Sequence, residues 1–381
     1  MAPDSSVPIK VYENLSDLEN LHGDWDTLLE AFPSATVFST LEWLIPWWRA
    51  FAGRDQLRVL GWRNSSMRLT GMAPLALTMH RSFGAKLRLL RFMGDGSHDS
   101  DNLDLLVIPG CETDFSRTLL DWLERSKGWD ICRLNTLPAE SPAGNQLLQD
   151  LRARGWRVFT STRPWSVIDL RENWDAYIKS LSSKERGKIG LRTRRLEKHY
   201  KTVCIRRCVE ESELDGALEA LFELHTKHWQ LRGLPGTLVV PARRQFYHEL
   251  SRRLLAKNRL EFWLLELDEK IVAAQFGLRY GKTVFSLQEG FDPSYSADSV
   301  GYVLRGNVLK HLIGEGVRFY DFLGGTDESK IRWGANVKHY LNIEFARPYT
   351  RGSLHLVLKN KIAETKRSLR TRLRSRGPRR K

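Results

Sequence analysis

Residues 261–323 read EFWLLELDEKIVAAQFGLRYGKTVFSLQEGFDPSYSADSVGYVLRGNVLKHLIGEGVRFYDFL, and the punctuation of this stretch sets the architecture. Two β-rich runs, 261–267 and 271–280, flank the polar turn 268–270, and a third, 283–289, stops at Gly290. Strands joined by such short polar turns are antiparallel hairpin partners. A helical segment, 300–313, follows and closes on Gly314 and Gly316 before the apolar strand 317–323. A helix of that length between two strands makes a right-handed crossover, so the strands it joins become parallel neighbours. The expected sheet is mostly antiparallel with one parallel pair that splays apart. The N-terminus of the crossover helix faces that gap, a natural ligand crevice.

The same order recurs upstream. Strands 57–62 and 68–77 surround the turn 63–66, and a basic strand, 87–93, ends at Gly94. A helix over 115–127, Gly128 and a strand over 129–134 follow. Amphipathic helical stretches precede each copy, 15–29 with 41–51 and 217–230 with 243–255. The expectation is an α/β (α+β) protein of two similar domains, 1–165 and 166–350, each a mixed, mostly antiparallel sheet flanked by helices. The join falls near 161–166, and 351–381 is a basic tail.

Composition agrees with a globular chain. Of 381 residues 41% are hydrophobic, and 28 are glycine, which excludes disordered and collagen-like classes. Four cysteines, with no CxxC and no Cys/His sets at zinc spacing, argue against a disulfide scaffold or a zinc site. The net charge of +15 is concentrated at one end: residues 359–381 hold 11 Lys/Arg against Glu364 alone. The body is therefore only mildly basic, which disfavours a nucleic-acid domain. Residues 1–10 include Asp4 and lack an apolar core, so a signal peptide is not expected. The apolar runs 43–48 and 262–265 are far below the roughly 20 residues of a membrane span. A cytoplasmic protein, peripheral at the inner membrane face through its tail, is the expectation.

Signatures of hydrolases, P-loop enzymes and HExxH metalloproteases do not occur in the sequence. The chemistry concentrates in residues 285–336. Strand alternation puts Asp321 on a face with Val317, Phe319 and Leu323, where a carboxylate needs a partner or a task. Glu289 closes the neighbouring strand at the crevice. Gly301, at the start of the crossover helix, allows close approach, and free N–H groups in that turn suit a pyrophosphate; a capping role for Ser299 or Asp298 is the structural alternative. Between the copies, 179–201 carries nine Lys/Arg against Glu185 and Glu197, with a partial stripe at Leu181, Ile189, Leu191, Leu196 and His199. It reads as a solvated helix or as an anion contact through Arg192, Arg194 and Arg195.

Several segments together resemble a branch of the GNAT superfamily, the BioF-like/CelD-type acyltransferases of cellulose and exopolysaccharide biosynthesis, related to FemAB-type aminoacyltransferases. They are G-F-D with S-V-G-Y-V-L, Y-D-F-L-G-G with S-K-I-R-W-G, and H-W-Q-L-R-G-L-P-G-T. F-S-T-L-E-W-L-I-P-W-W-R-A-F, G-M-A-P-L and S-H-D-S-D-N-L-D resemble a degenerate first copy. The resemblance covers residues 10–348 and is strongest over 221–334. It implies tandem GNAT-like domains and transfer of an acyl group from acetyl-CoA or another acyl-CoA to an amine, without a metal. The acceptor implied is an amino sugar or other cell-envelope precursor. The backbone of Ser299, Val300, Gly301 and Tyr302 would then hold the donor pyrophosphate. Glu289 or Asp321 is the implied base, Lys330 an oxyanion or acceptor contact, and His228, Trp229 and Arg232 the acceptor side. The sequence departs from the family in two places. The phosphate motif survives only around Gly301, and Ser329 precedes Lys330 where relatives commonly carry tyrosine. An aminoacyl-tRNA-dependent transferase and a non-catalytic assembly factor are the alternatives. The tail's Leu354, Leu358, Ile362, Leu369 and Leu373 make a narrow apolar stripe under a basic face. That pattern suits a helix on an anionic membrane, with a solvated extension as the plain alternative.

Overall fold

The computed structural model describes residues 9–375, apart from His98 and Arg232. Thirteen strands among the described residues form one sheet. In chain order these are β1 (Lys10–Tyr12), β2 (Gln56–Arg63), β3 (Leu69–Ser82), β4 (Ala85–Phe92), β5 (Leu106–Val107), β6 (Ile131–Pro138) and β7 (Arg157–Asp169). The second half adds β8 (Val203–Arg207), β9 (Leu260–Leu267), β10 (Lys270–Tyr280), β11 (Thr283–Phe291), β12 (Phe319–Gly324) and β13 (Asn336–Ala346). Across the sheet the order is β1-β2-β3-β4-β6-β13-β7-β12-β11-β10-β9-β8, with β5 against β3.

The repeat read from the sequence is visible in this order. β2 to β4 and β9 to β11 are antiparallel meanders. β4 then runs parallel to β6, and β11 parallel to β12. The crossovers are the helices Glu112–Arg125 and Val300–Gly314. Two separate sheets were expected; instead they fuse. β13, from the end of the chain, inserts between β6 and β7, and β7 pairs with both β13 and β12. Each half therefore completes its sheet with a strand of the other, and the join expected at 165/166 falls inside β7.

Fusion extends to the core. Phe38 meets Phe285 edge-on at 5.4 Å and Trp43 meets Phe246 at 5.2 Å, so one apolar cluster runs through both halves. A second cluster lies under the helix Val300–Gly314, with Val300, Val303, Leu304 and Val308 packed on Tyr320 and Phe322. That helix is apolar nearly all round because the sheet covers one side and helix Lys188–His199 another. Gly306 permits the second contact: a Cβ there would sit 2.7 Å from Ile189. The helix Glu211–Gln230 begins in a capping box of Glu210 and Glu213. It crosses β11 at Gly290, where a Cβ would lie 2.6 Å from the His225 amide.

Candidate active site

β11 and β12 pair over only three residues, Thr283 to Phe285 against Phe319 to Asp321. Beyond them the strands part, and Glu289 on β11 flanks the opening. Glu289 faces the crossover helix. Its carboxylate takes a short hydrogen bond from Arg305 Nη2, another from Arg305 Nε at 3.2 Å, and one from Ser286 Oγ at 3.1 Å. Burial pushes the carboxyl up, but Arg305, Ser286 and the charge of Lys330 outweigh it and hold it below the ordinary glutamate value. Glu289 is therefore an ionised acceptor.

Asp321 alternates to the opposite face of the sheet and is buried. Its carboxyl accepts from the Leu323 amide at 2.7 Å and from Asn102 Nδ2 at 3.5 Å. Burial, with Asp101 nearby, pushes it up to about 8, so it carries a proton at neutral pH. The two carboxylates expected at one crevice thus stand on its two sides in different protonation states. Lys330 links them electrostatically. Its ammonium donates to the carbonyls of Gly324 at 3.0 Å, Gly325 at 3.2 Å and Phe322 at 3.4 Å, and burial lowers its pKa. Those three bonds anchor it at the end of β12, where Leu323 adopts a positive φ of 59°.

At the helix N-terminus Ser299 is left-handed, φ 58° and ψ 40°, and its carbonyl accepts from the amides of Tyr302 at 2.9 Å and Val303 at 3.1 Å. Ser299's own amide goes to Ser296. Of the four amides expected to hold an anion, Val300 and Gly301 remain undonated among the described residues. A Cβ on Gly301 would rest 3.4 Å from the Phe291 ring, an ordinary contact. The Tyr302 hydroxyl donates to Glu185 at 3.0 Å, which together with burial raises its pKa, and its ring lies on Trp333 at 4.5 Å. Helix Lys188–His199 places Arg192 over that ring at 4.6 Å and Arg195 by Asp298 at 3.7 Å. The basic stretch therefore borders the open amides.

The acceptor candidates divide. The His228 ring packs on Phe291 at 4.7 Å, across from Gly301. Trp229 Nε1 donates to His225 Nε2 at 2.9 Å. Arg232 lies outside the described residues.

Sequence reasoning missed two contributors. Arg305 sits in the middle of a mostly apolar helix and donates to Glu289, and a charge at such a position is itself a signal of a buried partner. The loop after β4 reaches into the second half: Asp99 pairs with Arg243 and accepts from Tyr247 at 3.3 Å, and Asp101 accepts from the Gly324 amide at 2.8 Å. Asn102 also donates to Tyr340 at 3.1 Å. No local spacing announces such contacts.

The first half has closed its own version of the crevice. Asn135, beyond the paired part of β6, donates to Asp95 at 3.0 Å across the gap. Its crossover helix opens with Glu112 and Asp114, and the Glu112 carboxylate takes the Gly110 amide at 2.8 Å. By contrast the helix Val300–Gly314 has no acid in its first turn. Among the described residues no group of three or more His, Cys, Asp or Glu could hold a metal.

Residues 183–331 match the family model of the acetyltransferase (GNAT) domain. No curated protein matches the chain in sequence. Among solved structures, FemX superposes with a TM-score of 0.62 at 12% identity over 85% of this chain and 96% of its own. The C-terminal domain of a putative lysylphosphatidylglycerol synthetase from Agrobacterium fabrum gives 0.51 at 12% identity, covering 90% and 96%. L-PGS from Bacillus licheniformis gives 0.51 at 11%, covering 89% and 95%. At such identities the likeness is one of fold, a mixed α/β sheet flanked by helices, and the match to the GNAT family model lies within the second half of the chain.

Proposed function

We propose that the protein is an N-acyltransferase that carries an acyl group from acyl-CoA to an amine of a polysaccharide or cell-envelope precursor. The observation that carries this reading is the asymmetry of the two crevices. Both crossover helices begin on amides without an intrahelical acceptor, but the first turn of Glu112–Arg125 carries two acids, whereas that of Val300–Gly314 carries none and has Arg192 and Arg195 close by, which suits the phosphates of a donor. The donor supplies an activated thioester carbonyl. The amine must lose a proton as its bond to that carbonyl carbon forms, and the departing thiolate must gain one. Glu289, ionised and at the opening, is the proton acceptor, directly or through a water. Arg305 and Ser286 hold it in place, and Lys330 contributes fixed positive charge close to the reacting carbonyl. Tyr302, committed to Glu185, is a positioning residue rather than the proton donor.

An aminoacyl-tRNA donor is the second reading, favoured by the exposed basic side of helix Lys188–His199 and by the fold shared with FemX. A thermal-shift series with acetyl-CoA, longer acyl-CoAs, free CoA and charged tRNA separates the two. The preferred donor raises the melting temperature by mass action. Gly301→Val, which has room to fold, is expected to lose the CoA-induced shift because its branched side chain occupies the approach to the open amides. An undiminished shift in that variant removes the donor-site assignment.

A further inference from the structure

The helix Arg351–Ser375 has two apolar aspects. One is used: Leu356 is buried against the sheet in a small cluster with Leu87, Leu89 and Ile131. Gly352 lies so close to the Asp130 carbonyl that a Cβ would sit at 1.9 Å. Arg351 pairs with Asp130 at 2.6 Å and Lys359 with Glu344 at 2.6 Å, so the first part of the helix is clamped to the body. The other aspect has no cover. Leu354 is 62% exposed, Leu358 49% and Ile362 39%, one above another at helical spacing, and Tyr349, just before the helix, is 103% exposed. A groove lined by Arg157, Tyr349, Leu354 and Val357 continues the patch. In sequence the stripe runs on to Leu369 and Leu373, within the segment where 11 Lys/Arg face one acid.

A packed surface helix normally turns its leucines inward and its charges outward. Here leucines and lysines share the outward side, an arrangement with no benefit in water. An anionic lipid surface answers both: its headgroups take the cations and its acyl boundary takes the Leu/Ile stripe and Tyr349. RNA would use the charge but not the stripe, and the sequence after Tyr349 contains no aromatic residue for base stacking. We propose that Tyr349 and the outward face of this helix form a clamped membrane-docking surface for anionic lipid. Because the helix is tied to the body at Asp130 and Glu344, docking would orient the whole molecule rather than merely tether it. The inference is independent of which donor the crevice takes.

The test is cosedimentation of the full chain with phosphatidylglycerol/phosphatidylcholine vesicles and with pure phosphatidylcholine vesicles, over a salt series. Binding to the anionic vesicles that weakens with salt is expected, with little binding to the zwitterionic ones. Leu354→Asp combined with Ile362→Asp, both at exposed positions, should weaken partitioning by about tenfold or more while the thermal melt is retained. Lys361→Gln with Lys366→Gln should weaken it less and flatten the salt dependence. Absence of binding by the native chain overturns the proposal. So does unchanged binding of the Leu354/Ile362 variant, which would leave an electrostatic contact without insertion. A native dimer in light scattering that this variant turns into a monomer would assign the stripe to self-association and overturn it as well.

Discussion

Glu289 and Asp321 sit on adjacent strands yet meet opposite electrostatic environments, and their substitutions should separate cleanly. Asp321 is held protonated by burial, with its folded pKa near 8 and its unfolded value near that of an ordinary aspartate. Between those values the folded state binds the extra proton, so stability falls as pH rises from about 4 to about 8. Asp321→Asn, which keeps the shape and cannot ionise, should remove this slope. Its melting temperature relative to the native chain is expected to rise on going from pH 5 to pH 8.5, as differential scanning fluorimetry can record. Glu289 behaves in the reverse sense. Its carboxyl lies below its unfolded value, so its stabilising pair with Arg305 is present at neutral pH and is lost on acidification. Glu289→Gln should lower kcat by ~10²–10⁴, the usual cost of losing a general base, with donor affinity nearly unchanged. A kcat close to native would move the proton transfer to water or another group. Both residues were legible in the sequence because a carboxylate at a strand end or on an apolar face is conspicuous. Their separation onto two faces was not. Leu287 bulges opposite the Phe276/Gly277 step, and that one-residue shift turns Glu289 towards the helix.

At the scale of elements, the recognition end of the crevice depends on how helix Lys188–His199 lies against helix Val300–Gly314. Sequence reading caught the basic run and part of its stripe. Leu181, Ile189 and Leu196 are buried, whereas Leu191 and His199 point to solvent. What the stripe could not reveal is its counterpart, the hollow at Gly306 more than a hundred residues on, since a missing side chain leaves no hydrophobic signal. Gly306→Val should force the helices apart at Ile189, at a cost of about 1–3 kcal/mol in chemical denaturation. Ile189→Ala in the same chain should recover a large part of that loss, because the two sites share one contact. Donor affinity should follow the helix position: Arg192→Ala is expected to weaken donor binding with little change in melting temperature, and more so at low ionic strength.

For the molecule as a whole, the internal repeat made the runs β2-β3-β4-β6 and β9-β10-β11-β12 readable, down to each parallel pair and its gap, but not β1, β5, β8 or the two long strands at the seam. The exchange of final strands was hidden because nothing in the sequence of β7 or of β13 names its neighbours. Consequently the segments 1–165 and 166–350, expressed separately, are expected to show no cooperative thermal transition. The first would be cut within β7 and would lack β13, and the second would lose most of β7. A sharp melt from either fragment would show that the exchanged strands are dispensable. The exchange also bears on how the chain is born. A ribosome delivers β6 early and β13 close to the end, so the edge at β6 must wait, unpaired, while every residue from Pro138 to Asn336 is made. The first half of the sheet cannot be finished before the second has been translated. A nascent chain with an idle strand edge is prone to wrong pairings, which makes chaperone protection during synthesis a need written into the topology.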